Sequence, residues 1–305
     1  MKGRTHVLML FLDGVGIGKG NGRYNPFFSA EMNCLRELIG GKMFDLGNKR
    51  FDAGTSSVTA LNATLGIGGL PQSGTNQTAL ITGINAPRCI KKHFGPYLYS
   101  SLRETVVKEN IFRKLQLRGL RTYYANAYPR QYFEYLRSPK YRPTVFPFAW
   151  LSAGNELNGS EALLSGRAVS ADITNERWSG LGYSDMPVIS PREAGRRLVK
   201  MTREYDFVLY EFFFTDHAGH SESMTEALKI LGPLDLLFGG IMDEFDREKM
   251  LLVITSDHGN IEDISTRSHT RNPVPLIAAG SRHREVTSGP QKITDVAPAL
   301  LNMLD

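Results

Sequence analysis

The chain has 305 residues, of which 41% are hydrophobic and 22% are charged, so the composition excludes a disordered or fibrous protein. The formal net charge is +5, because 36 Lys and Arg residues outnumber 31 Asp and Glu residues. The excess lies in residues 84–190, where 15 basic residues oppose 8 acidic ones, whereas the remainder has a net charge of −2. A basic middle segment is typical of a protein that binds an anionic ligand, and a solvated basic face explains it equally well.

Cysteine content and apolar runs limit the classes of protein further. Cys34 and Cys89 are too few for a disulfide framework or a thiolate metal cluster, so a metal site would use His, Asp and Glu. The apolar run from Val7 to Leu12 stops at Asp13, is too short to span a membrane and precedes no cleavage site. We therefore expect a cytoplasmic protein without a membrane partner. Nucleic acid is not expected either, because no Lys/Arg-rich stripe or RNA-binding signature appears. The oligomeric state stays open.

Short apolar runs that end in charged residues predict strands buried on both faces of a sheet. The predicted strands are, in chain order, His6–Leu12, 120–127, 207–214, Met250–Thr255 and 274–279. Apolar residues at helical spacing predict helices around these strands. The predicted helices are 75–82, 104–117, 191–205, 224–248 with a break at Gly232-Pro233, and 294–304. Strands that alternate with helices predict an α/β fold with a mainly parallel central sheet.

Residues 129–188 depart from this pattern. They contain prolines at 129, 139, 143, 147 and 187, many aromatic residues and little periodicity. We expect them to form a small cap or lid inserted into a core of residues 1–128 and 189–305. An irregular loop that covers the core explains the same composition nearly as well.

Acidic residues and histidines follow three of the predicted strands, which end in Asp13, Asp216 and Asp257-His258. Ligands bind at the carboxyl ends of parallel strands, where such a set is costly unless a cation compensates it. Divalent metal ions fit these donors. The predicted metal-binding group comprises Asp216, His220, Asp257, His258 and His269. The histidines elsewhere, His6, His93 and His283, are expected to be structural.

The segment Pro71-Gln72-Ser73-Gly74-Thr75 places hydroxyl groups at the entrance of a predicted helix. Ser or Thr at this position is commonly an N-cap. The functional interpretation is a nucleophile, with the helix N-terminal amides receiving the phosphoryl oxygens. The residue types fit both interpretations.

Several motifs occur together in a recognisable order. They are Asp13-Gly14, Ser73 followed by Thr82-Gly83, the DxxxH pattern of Asp216 and His220, SDHGNIED at 256–263 and HTRNPVPLI at 269–277. This ordered set resembles the alkaline phosphatase superfamily, and it is most similar to the branch of cofactor-independent phosphoglycerate mutase and phosphopentomutase. The resemblance extends from Asp13 to the final helix and omits the middle segment. It implies a three-layer α/β/α sandwich.

The resemblance also implies two divalent metal ions, manganese or zinc. Asp216, His220 and His269 would hold one ion. The other would be held by Asp13, Asp257, His258 and the hydroxyl of the nucleophile. In the superfamily that the sequence resembles, a Thr-Gly pair often lies nine and ten positions beyond the nucleophile. The resemblance therefore implies Ser73 as the nucleophile, with Thr75 as the alternative. Asn76 and Gln77 are candidate phosphate contacts on the next turn.

The expected function is hydrolysis of a small anionic phosphate ester, because a small cap excludes water poorly and water then competes as acceptor. The alternatives are an intramolecular phosphomutase acting on a phosphosugar or phosphoglycerate, and an inactive relative that binds phosphorylated ligands. Basic residues of the middle segment, interleaved with tyrosines, are expected to contact the substrate or to form an exposed patch. They are Arg130, Arg137, Lys140 and Arg142, with Tyr132, Tyr135 and Tyr141.

Overall fold

The computed structural model describes residues 5–304. Its strands are β1 His6–Leu12, β2 Phe51–Asp52, β3 Ser56–Leu61, β4 Thr122–Tyr124, β5 Asn126–Ala127, β6 Val169–Ser170, β7 Phe207–Phe212, β8 Met250–Thr255 and β9 Val274–Gly280. Its helices are α1 Asn33–Leu38, α2 Ser73–Thr82, α3 Ala86–Ile90, α4 Arg103–Glu109, α5 Ile111–Leu117, α6 Arg130–Leu136, α7 Val145–Ser152, α8 Ser160–Leu164, α9 Pro191–Glu204, α10 Phe214–His220, α11 Met224–Glu244, α12 His283–Thr287 and α13 Val296–Met303. No described helix combines the length and the apolar character that crossing a membrane requires.

Seven strands form the central sheet, in the order β2-β3-β9-β8-β1-β7-β4. The strands β8, β1, β7 and β4 are parallel neighbours, which places their carboxyl ends at one edge. On the other side, β9 is antiparallel to β8, β3 to β9 and β2 to β3, so the sheet is mixed. The α/β prediction is confirmed, and the parallel part is the half that carries β1, β7 and β8.

Both faces of the sheet are covered, as the continuous apolar strands predict. In β1, Val7, Met9 and Phe11 enter one hydrophobic cluster, and Leu8, Leu10 and Leu12 enter the other. Side chains alternate between the faces of a strand, so this division requires a layer of helices on each side. The first cluster includes residues of α2, α5, α7 and α13, and the second includes residues of α1, α9 and α11. The fold is therefore the expected three-layer sandwich.

Two helix predictions need correction. Residues 104–117 form two helices, because Asn110 has an extended backbone and its side chain accepts from the N–H of Arg113, which caps α5. The predicted break at Pro233 is wrong, because α11 runs through it to Glu244. An interior proline costs roughly 3 kcal/mol. Burial of Leu231 and Leu234 on either side, and packing of α9 along α11, stabilise the continuous helix.

Two strand predictions are also too long. The chain leaves the main sheet after Tyr124, and Asn126–Ala127 pairs with β6 in a separate two-stranded sheet. Strand β7 ends at Phe212, and α10 begins at Phe214. Both changes bring the chain away from the sheet at its carboxyl edge, where polar side chains gather.

Residues 129–188 contain α6, α7, α8 and β6. Part of the segment has its own small apolar cluster, to which Trp178 and Leu163 belong. Helix α7 instead buries Val145 and Phe146 in the main core. The segment is thus anchored in the core at α7 and covers the carboxyl edge of the sheet elsewhere. That residues 129–188 form a separate cap domain remains a prediction.

Candidate metal centre

The carboxyl edge of the parallel strands collects all seven side chains predicted to bind metal. Asp13 follows β1, Asp257 and His258 follow β8, and α10, which comes after β7, carries Asp216 and His220. His269 lies in the loop before β9, and Ser73 is the first residue of α2. We call this set the metal cluster: Asp13, Ser73, Asp216, His220, Asp257, His258 and His269.

One half of the cluster surrounds Nε2 of His258. This atom lies 3.0 Å from Oγ of Ser73, 3.2 Å from Oδ1 of Asp13 and 3.5 Å from Oδ2 of Asp257. His258 and Asp257 are completely buried, and Asp13 is 7% exposed. The arrangement joins two carboxylates, an imidazole and a hydroxyl at one point inside the protein.

The other half is built on Asp216. Its Oδ2 lies 3.2 Å from Nε2 of His220, and its Oδ1 lies 3.5 Å from Nε2 of His269. The two Nε2 atoms are themselves 3.2 Å apart. The halves touch through the rings of His258 and His269, which stack with centroids 3.8 Å apart. Ligand atoms of Asp216, His258 and His269 also lie within 4.8 Å of one another, so His258 borders both halves.

Backbone contacts fix the orientation of two of the imidazoles. Nδ1 of His220 bonds to the carbonyl of Arg267 at 2.6 Å, and Nδ1 of His269 bonds to the carbonyl of Pro71 at 2.7 Å. Each carbonyl requires a proton on Nδ1, so Nε2 points into the cluster, where it can bind a metal ion once it is deprotonated. Metal-binding histidines are commonly oriented in this way.

Unpartnered buried oxygens supply a test of metal binding that is independent of motifs. Both carboxylate oxygens of Asp257 and Oδ1 of Asp13 are buried, and no group among residues 5–304 forms a well-aligned hydrogen bond to them. Native structures rarely leave such atoms unsatisfied, because the cost is high. Oxygen and imidazole donors at this spacing fit a divalent cation. The residues present therefore fit the metal ions that the sequence implies.

The charges of the cluster shift its protonation equilibria strongly. Burial and the neighbouring Asp257 carboxylate raise the pKa of Asp13 to about 8, and burial also raises the pKa of Asp257. Burial alone would lower the pKa of His258, but the Asp257 and Asp13 carboxylates raise it to about 10. Burial and the charge of His258 lower the pKa of His269 to about 4. Without a cation, protons compensate the carboxylates; a divalent ion would displace them.

Asp216 differs from the other two carboxylates. Burial alone would raise its pKa, but hydrogen bonds from His220 and Asn260 and the charge of His258 lower it below the usual range. The Asn260 amide donates to Oδ1 of Asp216 at 2.7 Å. This carboxylate is thus held ionised and in a fixed orientation.

Two supporting residues were not predicted from the sequence. Glu262 is buried, and its Oε2 accepts from the N–H groups of Gly16 and Asn260 at 2.9 and 2.7 Å. Its Oε1 accepts from Thr270 and Asn272, which ties the loop of His269 to the loops after β1 and β8. The two supporting residues are Asn260 and Glu262. Their signal in the sequence is their position within SDHGNIED, beside the predicted ligands Asp257 and His258.

The hydroxyl of Ser73 is not an N-cap. Gln72 occupies the N-cap position, and α2 begins at Ser73, two residues before the predicted start. Oγ of Ser73 instead faces His258, whereas Oγ1 of Thr75 donates to the carbonyl of Gln72 and accepts from the N–H of Phe94. Thr75 is completely buried and holds the neighbouring loop. Of the two candidate nucleophiles, only Ser73 lies against the cluster.

The two candidate phosphate contacts, Asn76 and Gln77, also differ in whether they face the site. The Asn76 amide donates to the carbonyls of Ala63 and Asp257, both at 2.8 Å, so its N–H groups are not available to a phosphate, contrary to the prediction. Gln77 donates to Oδ2 of Asp13 at 3.1 Å and lines the adjoining cavity. Asn76 positions the loop of Asp257, and Gln77 borders the site.

A cavity of about 620 Å³ opens beside the cluster and is lined by Asp13, Ser73 and Asp216 at one end. The arginines predicted to contact the substrate do not line it. Arg130 pairs with Glu134 at the surface, Arg137 is exposed at the end of α6, and Arg142 lies over the ring of Tyr97. Lys140 and Tyr141 also lie outside, whereas Tyr132 and Tyr135 are part of the wall. Arg177, which the sequence did not single out, lines the cavity.

Curated sequences similar to this chain include 2,3-bisphosphoglycerate-independent phosphoglycerate mutases. The enzyme of Pseudomonas fluorescens Pf-5 is 34% identical over 131 residues, which is 40% of this chain and 25% of the mutase. That of Vesicomyosocius okutanii is 32% identical over 178 residues, which is 54% of this chain and 32% of the mutase. The chain thus matches about a quarter to a third of the length of these relatives.

Solved structures resemble the whole chain at low sequence identity. The PH0037 protein from Pyrococcus horikoshii has a TM-score of 0.62 at 14% identity and covers 100% of this chain and 98% of its own. Alkaline phosphatase from the Antarctic bacterium TAB5 has a TM-score of 0.58 at 12% identity, covering 99% of both chains. Phosphoglycerate mutase from Leishmania mexicana has a TM-score of 0.51 at 12% identity, covering 99% of this chain and 95% of its own. These likenesses establish the fold.

The family model of the Metalloenzyme superfamily matches residues 5–305. This match confirms the resemblance that the ordered motifs indicated, and membership implies that the cluster binds divalent metal. Because the match covers nearly the entire chain, the protein belongs to the Metalloenzyme superfamily.

Proposed function

We propose that the protein is a two-metal phosphoryl-transfer enzyme that hydrolyses a small anionic phosphate ester, with Ser73 as the nucleophile. The observation that carries the proposal is the position of its hydroxyl, 3.0 Å from Nε2 of His258 and at the inner end of the cavity. Family membership supports metal-dependent catalysis. The proposed partner is a small molecule, without nucleic acid or membrane.

The residues of the cluster divide into two ligand sets. Asp216, His220 and His269 would hold one cation, and Asp13, Asp257, His258 and the Ser73 hydroxyl would hold the other. Manganese and zinc both accept mixed carboxylate and imidazole ligands. Two such ions lower the pKa of a bound hydroxyl and neutralise the charge that develops on the phosphoryl and leaving oxygens.

The first turn of α2 would receive the phosphoryl group. The N–H of Thr75 already donates to Phe94 and that of Asn76 to Gln72. Among residues 5–304, no carbonyl accepts from the N–H groups of Ser73 and Gly74, which therefore remain for phosphoryl oxygens. The Ser73 hydroxyl loses its proton to solvent and Oγ forms a bond to phosphorus as the bond from phosphorus to the ester oxygen breaks, and the alcohol leaves with a proton from solvent. Water then attacks the phosphoserine, which releases orthophosphate and restores the hydroxyl.

Water access favours hydrolysis over transfer to a second alcohol. Gln131, Arg177 and His217 line the cavity and are exposed, so solvent reaches its outer end. The phosphorylated enzyme would therefore meet water in the absence of an acceptor.

A second candidate function is an intramolecular phosphomutase. Identity of 29–34% with phosphoglycerate mutases over 128 to 178 residues favours it. In this reaction a hydroxyl of the same substrate attacks the phosphoserine in place of water. The inactive relative is disfavoured, because every predicted metal ligand lies in the cluster.

The test combines metal analysis with two chromogenic esters, para-nitrophenyl phosphate and bis-para-nitrophenyl phosphate, with added manganese or zinc. We expect metal-dependent release that Ser73→Ala reduces by several orders of magnitude without changing metal content greatly, because loss of a nucleophile removes the covalent route. The relative rates on the two esters identify monoester or diester preference. Release of nitrophenol by Ser73→Ala at the wild-type rate would contradict the proposal.

Thr75→Val is the matched variant, since it removes the competing hydroxyl and retains the side-chain volume. It should retain turnover and lower thermal stability, because Thr75 bonds to Gln72 and Phe94. Loss of turnover in folded Thr75→Val, with activity kept in Ser73→Ala, would move the nucleophile to Thr75. Silence on both esters with bound metal would favour the mutase.

A further inference from the structure

The cavity is much larger than a phosphoryl group requires. Its volume of about 620 Å³ lies within the range of roughly 300–1,000 Å³ that is typical of small-molecule sites. The metal cluster occupies one end, and residues 126–181 supply much of the remaining wall. The larger part is therefore available to the alcohol portion of a phosphate ester.

Aromatic side chains from two parts of the chain form this wall. Tyr128 and Tyr132 stack with ring centroids 4.3 Å apart, and Tyr135 lies on the same helix as Tyr132. Phe213 and Phe214, at the start of α10, line the cavity as well. Flat aromatic surfaces contribute most to the binding of ligands that contain a planar ring.

A buried carboxyl group lies within this aromatic wall, and burial raises its pKa to about 8. Glu211, in the apolar strand β7, is 7% exposed and lines the cavity. The side chain of Asn126 accepts from the N–H of Glu211 and donates to the carbonyl of Glu211, each at 2.8 Å. These two bonds hold the backbone of Glu211 beyond the end of β4, where that strand no longer pairs with β7. Tyr124 donates to Oε2 of Glu211 at 2.5 Å. Since this donation uses the only hydroxyl proton of Tyr124, Tyr128 donates to Tyr124 in turn.

The second oxygen of Glu211 is left for a ligand. Among residues 5–304, Tyr124 donates to Oε2 of Glu211 and no group donates to Oε1. The carboxylate of Asp172, also in the wall, instead accepts from the Ser170 hydroxyl and from the backbone N–H groups of Asn175 and Arg177. This oxygen faces the cavity, so a ligand hydroxyl or amino group can take the place of water as its hydrogen-bond partner.

The charges of the wall disfavour a second anionic group on the substrate. Arg177 is the only Arg or Lys among the described residues that line the cavity, and it lies 4.0 Å from the ring centroid of Phe214. A carboxylate-bearing alcohol such as glycerate would place its charge near Asp172 and against the buried carboxyl group of Glu211, which has no cation beside it. A neutral ring with hydrogen-bond donors meets no such repulsion.

We propose that this cavity binds a nucleoside as the alcohol portion of the ester, with the planar base among the aromatic side chains and a hydroxyl or amino group hydrogen-bonded to Oε1 of Glu211. The substrate class is thus a nucleoside monophosphate, and this assignment rests on the proposed phosphatase function. Binding of the free nucleoside, however, depends only on the cavity.

The test measures binding of adenosine to the metal-loaded protein by calorimetry, together with hydrolysis of adenosine 5′-monophosphate, glycerol phosphate and 3-phosphoglycerate. We expect saturable adenosine binding that Glu211→Leu and Tyr132→Ala each weaken by about tenfold. The control is Glu161→Leu, which changes an exposed carboxylate outside the cavity and should bind as wild type. Hydrolysis of the nucleotide should exceed that of the two smaller esters by at least about tenfold in kcat/KM.

Absence of adenosine binding to the wild type would overturn the inference, as would binding that none of the cavity variants weakens. Preference for 3-phosphoglycerate over the nucleotide would overturn it too. Adenosine binding without hydrolysis of any ester would instead contradict the proposed function and leave the cavity assignment supported.

Discussion

The metal cluster and the aromatic cavity meet at Ser73 but are built differently. In the cluster, buried polar groups are held by hydrogen bonds, with His269 on Pro71, His220 on Arg267 and Glu262 joining three loops. The cavity wall is mostly aromatic, lies partly on the short helix α6 and has an exposed rim. Rigid polar anchoring suits a reaction whose geometry is fixed. An aromatic wall on separate elements can change without disturbing the reaction, so the chemistry and the choice of substrate reside in different regions.

The largest effect should follow from a change in the cluster itself. Asp257→Asn should reduce bound metal and lower turnover by several orders of magnitude, because removal of a charged ligand weakens the site. In the metal-free protein the same change should raise the melting temperature, since Asp257 is buried without a well-aligned hydrogen bond to its carboxylate and its pKa is raised.

Elemental analysis checks the expected loss of bound metal, and thermal unfolding with and without a chelator checks the expected rise in the melting temperature of the metal-free variant. Metal loading should stabilise the wild type more than the variant. A variant that is less stable than the wild type in both states, with full metal content, would show that Asp257 has a structural role.

A smaller effect is expected from pH in the metal-free protein. A carboxyl whose folded pKa is raised binds more protons in the folded state, so its contribution to stability is lost as pH rises. For Asp13, with a pKa of about 8, this loss spans about pH 4 to 8 and reaches at most roughly 1.4 kcal/mol per pH unit.

His258 acts in the same direction at higher pH. Its pKa of about 10 means that stability is lost as pH rises above about 6.5. His269, with a pKa of about 4, acts in the opposite direction between about pH 4 and 6.5. Melting temperatures of the chelated protein should therefore fall between about pH 6.5 and 8, whereas those of the metal-loaded protein should not, because deprotonated ligands favour the metal. Parallel curves for the two forms would place the titrating groups outside the metal cluster.

The smallest effect is expected at the cavity rim. Arg177→Ala should raise KM for an anionic ester a few-fold with little change in kcat, because an exposed cation contributes modestly to binding. Arg137→Ala, which changes an exposed arginine outside the cavity, is the control and should leave KM unchanged. Equal effects of the two variants would indicate general attraction of anions by the basic segment.

The two regions also differ in how much of each the sequence predicts. The ligands follow β1, β7 and β8, so apolar runs that end in Asp or His locate them and the motif order identifies their family. The sequence did not predict whether the Ser73 hydroxyl caps α2 or faces the metal cluster. The N-cap interpretation is excluded by the structure, in which Gln72 is the N-cap and α2 begins at Ser73.

The cavity was not predicted, because its wall depends on which way side chains face. Net charge drew attention to Arg130, Arg137 and Arg142, but composition does not show that these arginines lie outside the cavity. Glu211 does leave a signal, since it is a lone carboxylate in the apolar run FVLYEFFF. Its hydrogen bond from Tyr124 depends on contacts between residues distant in the chain.

The central claim is that Ser73 carries the phosphoryl group. The most direct measurement is to mix metal-loaded protein with excess para-nitrophenyl phosphate, quench in acid and locate the phosphate by peptide mass spectrometry. The account predicts a phosphate adduct on Ser73, no adduct in Ser73→Ala and loss of the adduct when metal is removed. Turnover without any adduct on Ser73, or an adduct on Thr75, would contradict it.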